Sequence, residues 1–419
     1  MDKRLKTCDT SVLNLINNST SRTVNFNQLD DSCLVRILTH LPIREKVEAE
    51  KVCKRWKNIS MTKIWQNNTH LDLTNGSIML KTEFNGQPPT LTDLQRVIIR
   101  CGKFLKSIKF GKFYNSAVLN IIRCNCPHLL SLELDLSSYL PNDFVDVFSR
   151  MKNLEVLKIF STFDNSAFKF FSGLGSSIRD IYLDARNDSG KVPSFQNFNS
   201  LRSLTMNGFY IDMKTVGDIS QMKNLKNLSL RYCTIKENVQ MRQIFFLKYL
   251  EKLDFFNMKP EYEGGLTVDD SLLSEIVYNL KNLKYLNVSG CDSITVNGVN
   301  LLIKLKKLEV LSIATLGLYS VKKKLRFGPF HQLKVLNCMG IYEISDLIII
   351  PIIIDSPKLE KLIVSGTKTS VYLLERANQI KKKSTINVVL NIWTGDSIIQ
   401  AYRESKVSKS KYLVVHSLI

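Results

Sequence analysis

The apolar positions of the chain recur as L-x-x-L-x-L. Leu283 to Cys291 shows the unit plainly: apolar residues at offsets 0, 3 and 5 (Leu283, Leu286, Val288), then Cys291 at offset 8. Copies begin at Leu105, Leu129, Leu154, Ile178, Leu201, Leu225, Leu250, Leu283, Leu308, Leu333 and Leu359, spaced 23–26 residues apart except for one step of 33. All 33 key positions are apolar in a chain that is 44% hydrophobic, a coincidence on the order of 10⁻¹² by chance. Offsets 3 and 5 point the same way from a strand, and offsets 2, 4 and 6 point the other way. A single unit cannot bury its apolar face; stacked units can, with their strands forming one parallel sheet. The pattern therefore predicts an α/β solenoid, with a parallel sheet on the concave side and helices or turns on the convex side. The excess of the long unit falls in Lys259–Thr267 and reads as an inserted loop, with Pro260 and Gly264-Gly265.

A second texture precedes the repeats. Leu34, Ile37, Leu38 and Leu41 fall on one face of a helix that Pro42 stops. A short helix over 44–49 and a third from about Ala49 to Ile59 follow, with Val52, Trp56 and Ile59 sharing a face. Leu71–Leu73 predicts an edge strand, Thr74–Pro89 a loop, and Leu94, Val97 and Ile98 a helix running towards Cys101. Asn387–Ile392 predicts one more strand. The resulting division is a flexible tail over 1–25, a three-helix block over 26–66, a linker with an edge repeat over 67–104, about 11 repeats over 105–385, and a cap over 386–419.

Residues 29–65 resemble the F-box. The residues that carry the resemblance are Leu29, Leu34, Ile37, Leu41, Pro42, Val52, Cys53, Trp56 and Trp65. The sequence departs from the family pattern at Asp30 (usually proline), Ser32 (usually acidic) and Leu38 (usually phenylalanine). The repeats are similar to leucine-rich repeats of the cysteine-containing type, whose offset-8 slot is filled here by Cys233 and Cys291. Together these resemblances imply a substrate-recognition subunit of an SCF-type ubiquitin ligase. The F-box residues would bind a Skp-family adaptor joined to a cullin scaffold, and the repeats would hold a protein target. A non-enzymatic scaffold whose N-terminal helices only cap the solenoid is the alternative.

Composition and chemistry sharpen this. The net charge of +20 fits an acidic or phosphorylated partner, nucleic acid, an anionic membrane, or a solvated lysine surface. The concave offsets hold five basic and five acidic residues, which places the excess charge elsewhere: at Lys304, Lys306, Lys307, Lys322–Lys324, Arg326 and Lys381–Lys383. A balanced concave face argues against nucleic acid. Its aromatics argue for protein recognition, with Phe160, Tyr182, Asp184, Arg231, Tyr232, Phe256 and Tyr285 as the candidate target-binding residues. Five scattered histidines and nine unframed cysteines predict no metal site, no cofactor and no catalytic constellation. The longest apolar run, Leu347–Ile354, is broken by Pro351 and reads as a buried convex segment, and Val12–Ile16 is too short for a signal-peptide core. No membrane association and a cytoplasmic or nuclear setting are the expectations.

Overall fold

The computed structural model describes residues 29–136, 138, 146–160, 171, 173–186, 190–192, 194–195, 198–237, 239–262, 265, 268–318, 325, 328–405 and 410–417. The tail over 1–25, Lys322–Lys324 and Arg326 lie outside these residues.

Among the described residues, fourteen strands form one parallel sheet in strict chain order, from His70–Leu73 through to Leu413–Ser417. Register is constant along the whole sheet. Leu71 pairs with Ile108, Ile108 with Leu132, and the row continues through Leu204, Leu286 and Leu362 to Ile392 and Val415. Each of the 33 pattern positions is at most 2% exposed. Fourteen strands at ~4.8 Å spacing give about 60 Å of sheet. The chain is a leucine-rich-repeat solenoid.

Strand length changes along it. From Ser131–Asp135 to Asn227–Arg231 the strands have five residues; from Lys252–Asp254 to Lys361–Ile363 they have three. The cause in several later repeats lies at offset 4. Asp254 Oδ1 accepts from Phe256 N–H at 3.1 Å, Asn287 Oδ1 from Ser289 N–H at 3.0 Å, and Asn337 Oδ1 from Met339 N–H at 3.1 Å. A side chain that bonds its own backbone two residues on makes an Asx turn and ends the strand there. At offset 7 the backbone then turns through positive φ in seven successive repeats: Gly208, Tyr232, Asn257, Gly290, Thr315, Gly340 and Gly366.

Cys233 and Cys291 do the work expected of offset 8. Their thiols donate to the carbonyls of Met206 (3.4 Å) and Phe255 (3.2 Å) in the preceding repeat. Burial pushes both thiols up to about 12, which makes them turn-packing groups without thiolate reactivity.

Several expectations need correction. The insertion over Lys259–Thr267 opens with a strand: Lys259–Pro260 joins a second, four-stranded parallel sheet with Gly190–Lys191, Phe209–Ile211 and Thr234–Ile235. The stretch Thr74–Pro89 contains helix Ile78–Glu83, capped by the Ser77 hydroxyl. The C-terminal strand sits at Leu390–Thr394, and a further strand, Leu413–Ser417, lies beyond it. Leu347–Ile354 lies in helix Asp346–Asp355; Ile349, Ile352 and Ile353 are buried, while Leu347 and Ile354 face outward.

The N-terminal block folds as α1 (Asp31–Thr39), α2 (Ile43–Ala49) and α3 (Lys54–Ile59). Its small core comprises Leu34, Leu38, Ala49, Ile59 and Ile64. The third helix begins at Lys54, later than the apolar pattern suggests, because Cys53 is extended and its sulfur caps Trp56 N–H. Val52 is consequently in a turn, off the helical face it was expected to share with Trp56.

Candidate functional site

Two surfaces carry the chemistry. The first is the N-terminal block, which is built into the end of the solenoid. Ile43 and Trp65 belong to the solenoid's own core. Glu50, 6% exposed, is the hub of the junction. Its carboxylate accepts from Trp65 Nε1 (2.8 Å), Ser60 Oγ (3.1 Å) and Arg100 Nε (2.5 Å), the last on solenoid helix Leu91–Cys101. Lys46 lies in the same junction, where burial lowers its pKa, and Ile43 N–H donates to Glu83 at 2.8 Å.

This arrangement sorts the nine residues expected to contact an adaptor. Leu34 and Trp65 are fully buried and build core, so neither presents its side chain at the surface of this fold. Ile37 (43% exposed) and Val52 (64%) stand out into solvent. Leu29, Leu41, Pro42, Cys53 and Trp56 are half-buried. The departures from the family pattern have a physical account. Asp30 caps α1 by accepting from Cys33 N–H at 2.6 Å, and that bond holds its carboxyl below the usual range. Ser32 donates to the same carboxylate at 2.8 Å. Proline at that position would lack the capping oxygen.

The second surface is the concave sheet. Across the strands, offset 6 forms one continuous row: Asp135, Phe160, Asp184, Asn207 and Arg231 are register partners in turn. The Phe160 and Tyr182 rings lie 5.0 Å apart. Asn207 Nδ2 donates to Tyr182 Oη (2.8 Å) and to Asp184 Oδ2 (3.1 Å). Arg186 pairs with Asp135 at the rim. Beyond Asn207, the Arg231 guanidinium lies 4.9 Å from the centroid of Phe256 and 5.9 Å from that of Tyr232. Those two rings meet edge to face at 5.0 Å. Asp254 sits beneath, 3.8 Å from Arg231 Nε, and burial raises its carboxyl pKa. Lys252 stacks over Tyr285 at 4.6 Å.

All seven expected target-binding residues therefore fall in this one region of the sheet, grouped around Tyr182 and around Arg231. Asn207, which sequence reasoning missed, joins the groups; the signal for it was its offset-6 place between Asp184 and Arg231. Two further features mark the patch. Tyr232 is 53% exposed yet holds φ 53°, where four other repeats use glycine. Asn207 Oδ1 and Arg231 Nε make no hydrogen bond among the described residues. Asn287 and Ser289, at the same outward-pointing offsets of the repeat as Tyr285, are only 6% and 1% exposed. Their side chains serve the turn and the Ser312 hydroxyl instead.

Residues 26–67 match the F-box domain. This chain carries an F-box ahead of a leucine-rich-repeat solenoid. Human F-box/LRR-repeat protein 12 is 25% identical over 229 residues, which span 50% of this chain and 64% of that protein. The mouse protein of the same name is 24% identical over 236 residues, spanning 49% and 64%. Caenorhabditis elegans EEED8.10, whose name proposes RNA binding, is 24% identical over 359 residues, 75% of this chain and 47% of that one. The chain thus spans about half to two-thirds of the length of these curated relatives. Among solved structures, a Listeria monocytogenes internalin superposes on 81% of this chain and 96% of its own, with a TM-score of 0.48 and 14% identity. Among the described residues, no cluster of His, Cys, Asp and Glu could hold a metal ion, and no helix is long and apolar enough to cross a membrane.

Proposed function

We propose that the chain is a substrate-recognition subunit of an SCF-type ubiquitin ligase. In this reading the F-box binds a Skp-family adaptor that leads to a cullin scaffold, and the concave patch around Tyr182, Asn207 and Arg231 holds a target protein. The observation that carries the proposal is the buried Glu50–Arg100 link together with Trp65, which anchors the F-box to the solenoid end. A receptor of this kind makes no bond itself. It raises the target's effective concentration at a fixed position near the conjugating enzyme, and a rigid joint between adaptor-binding and target-binding parts serves that end.

The exposed apolar side chains Ile37 and Val52, flanked by half-buried Leu41 and Pro42, are the adaptor contacts we favour. Desolvated apolar anchors of this type carry most interface energy. For the target, the aromatic and arginine content of the patch suits a polypeptide. Five basic and five acidic residues at the concave positions do not suit a phosphate backbone, which requires clustered cations.

Co-purification with a Skp-type adaptor tests the proposal. The unsubstituted chain is expected to form a stable complex, and Ile37→Asp with Val52→Asp to abolish it while melting temperature stays unchanged. No complex with the unsubstituted chain, or one indifferent to both substitutions, overturns it.

A further inference from the structure

Offset 1 of the repeat lies where each strand begins, on the flank of the solenoid beside the concave face. The residues there stack directly, because each backbone N–H donates to the carbonyl of the preceding offset-1 residue. The chain of bonds runs Arg179 to Glu155 (2.8 Å), Arg202 to Arg179 (2.7 Å), Lys226 to Arg202 (2.8 Å) and Glu251 to Lys226 (2.8 Å), and it continues through Lys284, Glu309, Lys334 and Glu360. From Lys226 onward the charges alternate without fault: Lys226, Glu251, Lys284, Glu309, Lys334, Glu360. Alternation is what adjacent strands favour, since like charges directly opposite one another repel.

The alternation fails at one place. Between Glu155 and Glu251 stand three cations in succession, Arg179, Arg202 and Lys226. The ion pairs bounding them are long, 3.9 Å for Arg179–Glu155 and 3.5 Å for Lys226–Glu251. Further along the ladder, Lys284–Glu251 and Lys334–Glu309 close to 2.7 and 2.8 Å. Arg202, at the centre, has no salt bridge among the described residues. Its charge acts on the carboxyl of Asp180, whose pKa burial nonetheless raises. The three cations line a polar groove of about 390 Å³ with Ser176, Ser200 and Asn224.

We propose that Arg179, Arg202 and Lys226 form an oxyanion site whose occupant is a phosphorylated side chain of a protein lying on the concave sheet. Two planar guanidinium forks and an ammonium match a doubly charged tetrahedral group better than a single carboxylate. Two strand spacings separate the outer cations, about 10 Å, a span that three long side chains close around one group. The patch is also bounded by Glu155 and Glu251. A membrane surface or a nucleic-acid backbone engages basic surface over a longer stretch, whereas one phosphoryl group fits between the two glutamates. Five residues of the same strand, roughly 16 Å, separate Lys226 from Arg231. An extended polypeptide touching both sites would carry its phosphorylated residue about five positions from the one at Arg231.

The occupant rests on the target-binding reading above; the anion site does not. The test is inorganic phosphate titrated into the full chain at constant ionic strength, followed by ³¹P NMR and melting temperature. Saturable binding is expected, weakened at least tenfold in Arg202→Glu. That substitution restores the alternation, giving Arg179 and Lys226 a carboxylate between them, so the unliganded chain is expected to melt no lower than the parent. Phosphate binding equal in both proteins, or none in the parent, overturns the site. A phosphoserine peptide is then compared with its unphosphorylated twin, with phosphatidylserine vesicles and with an RNA oligonucleotide. Arg202-dependent preference for the phosphopeptide supports the occupant; Arg202-dependent binding of vesicles or RNA without that preference overturns it. Adaptor co-purification is a separate readout that Arg202→Glu is expected to leave intact, so failure of the ligase reading shows up there alone.

Discussion

Arg100 Nε donates to the buried carboxylate of Glu50 at 2.5 Å, and this bond ties the F-box to the second helix of the solenoid. Removing one partner of a buried pair strands the other's charge, which costs about 3–5 kcal/mol. Glu50 keeps the Trp65 and Ser60 donors, so Arg100→Ala is expected at the low end, about 3 kcal/mol. Chemical denaturation measures the total. Amide exchange across Asp31–Asn67 shows whether the loss is felt in the F-box, and a loss under about 1 kcal/mol means that water already screens the pair.

Tyr232 adopts φ 53° at an offset where four other repeats place glycine. A left-handed backbone costs a bulky residue about 1–2 kcal/mol, while its edge-to-face contact with Phe256 returns about 0.5–1.5 kcal/mol. Tyr232→Gly is therefore expected to leave stability within about 1 kcal/mol of the parent while reducing target capture. A large loss of stability would show that the ring serves the fold and not a partner.

The Asp254 carboxyl is 4% exposed, and burial raises its pKa above the ordinary 3.8. A raised folded pKa means the folded chain holds that proton more tightly than the unfolded chain. The contribution favours folding fully below about pH 3.8 and is lost as pH rises through the folded pKa. Asn287 and Asn337 fill the same offset and make the same turn bond. Asp254→Asn is thus expected to match the parent in stability in acid and to gain on it as pH approaches neutrality. Melting curves at several pH values check this; a variant that falls further behind the parent as pH rises shows that the Arg231 pairing outweighs burial.

Leu286 is wholly buried at offset 3, and its neighbour Tyr285 is partly exposed over the concave face. Leu286→Ala is expected to cost about 2–5 kcal/mol, as core truncations do. Tyr285→Ala gives up a half-buried ring, its contact with Lys252 and a long 3.5 Å bond from its hydroxyl to Asp254. Thermal denaturation of the two variants should separate them clearly, and equal losses would mean that Tyr285 is part of the packing.

The solenoid was legible in the chain because its cause is local and repeated. Every Leu-x-x-Leu-x-Leu unit buries the same three positions for the same reason, and periodicity reports burial directly. Asp346 shows where that reading weakens. Its carboxylate bonds Ser370 N–H and Oγ in the next repeat, an interaction of two polar residues 24 apart that periodicity does not report. The small second sheet was missed because its two- and three-residue strands are too short to set a period. Val52 was misplaced because a cap at Cys53 decided where the third helix begins.

By itself, the sequence determined the repeat, its strand register, the F-box and the region of the concave face where aromatic and charged residues gather. Those features follow from side-chain type and spacing alone. Tertiary structure decided which of these residues are free to act. Leu34 and Trp65 carry the F-box resemblance yet lie in cores, Asn287 turns back to bond the backbone two residues on, Ser289 bonds the next repeat, and Asn207 bonds Tyr182 and Asp184 from the neighbouring strand. Burial and hydrogen-bond partnership depend on what neighbouring repeats place alongside a residue, and only the folded stack brings those neighbours together.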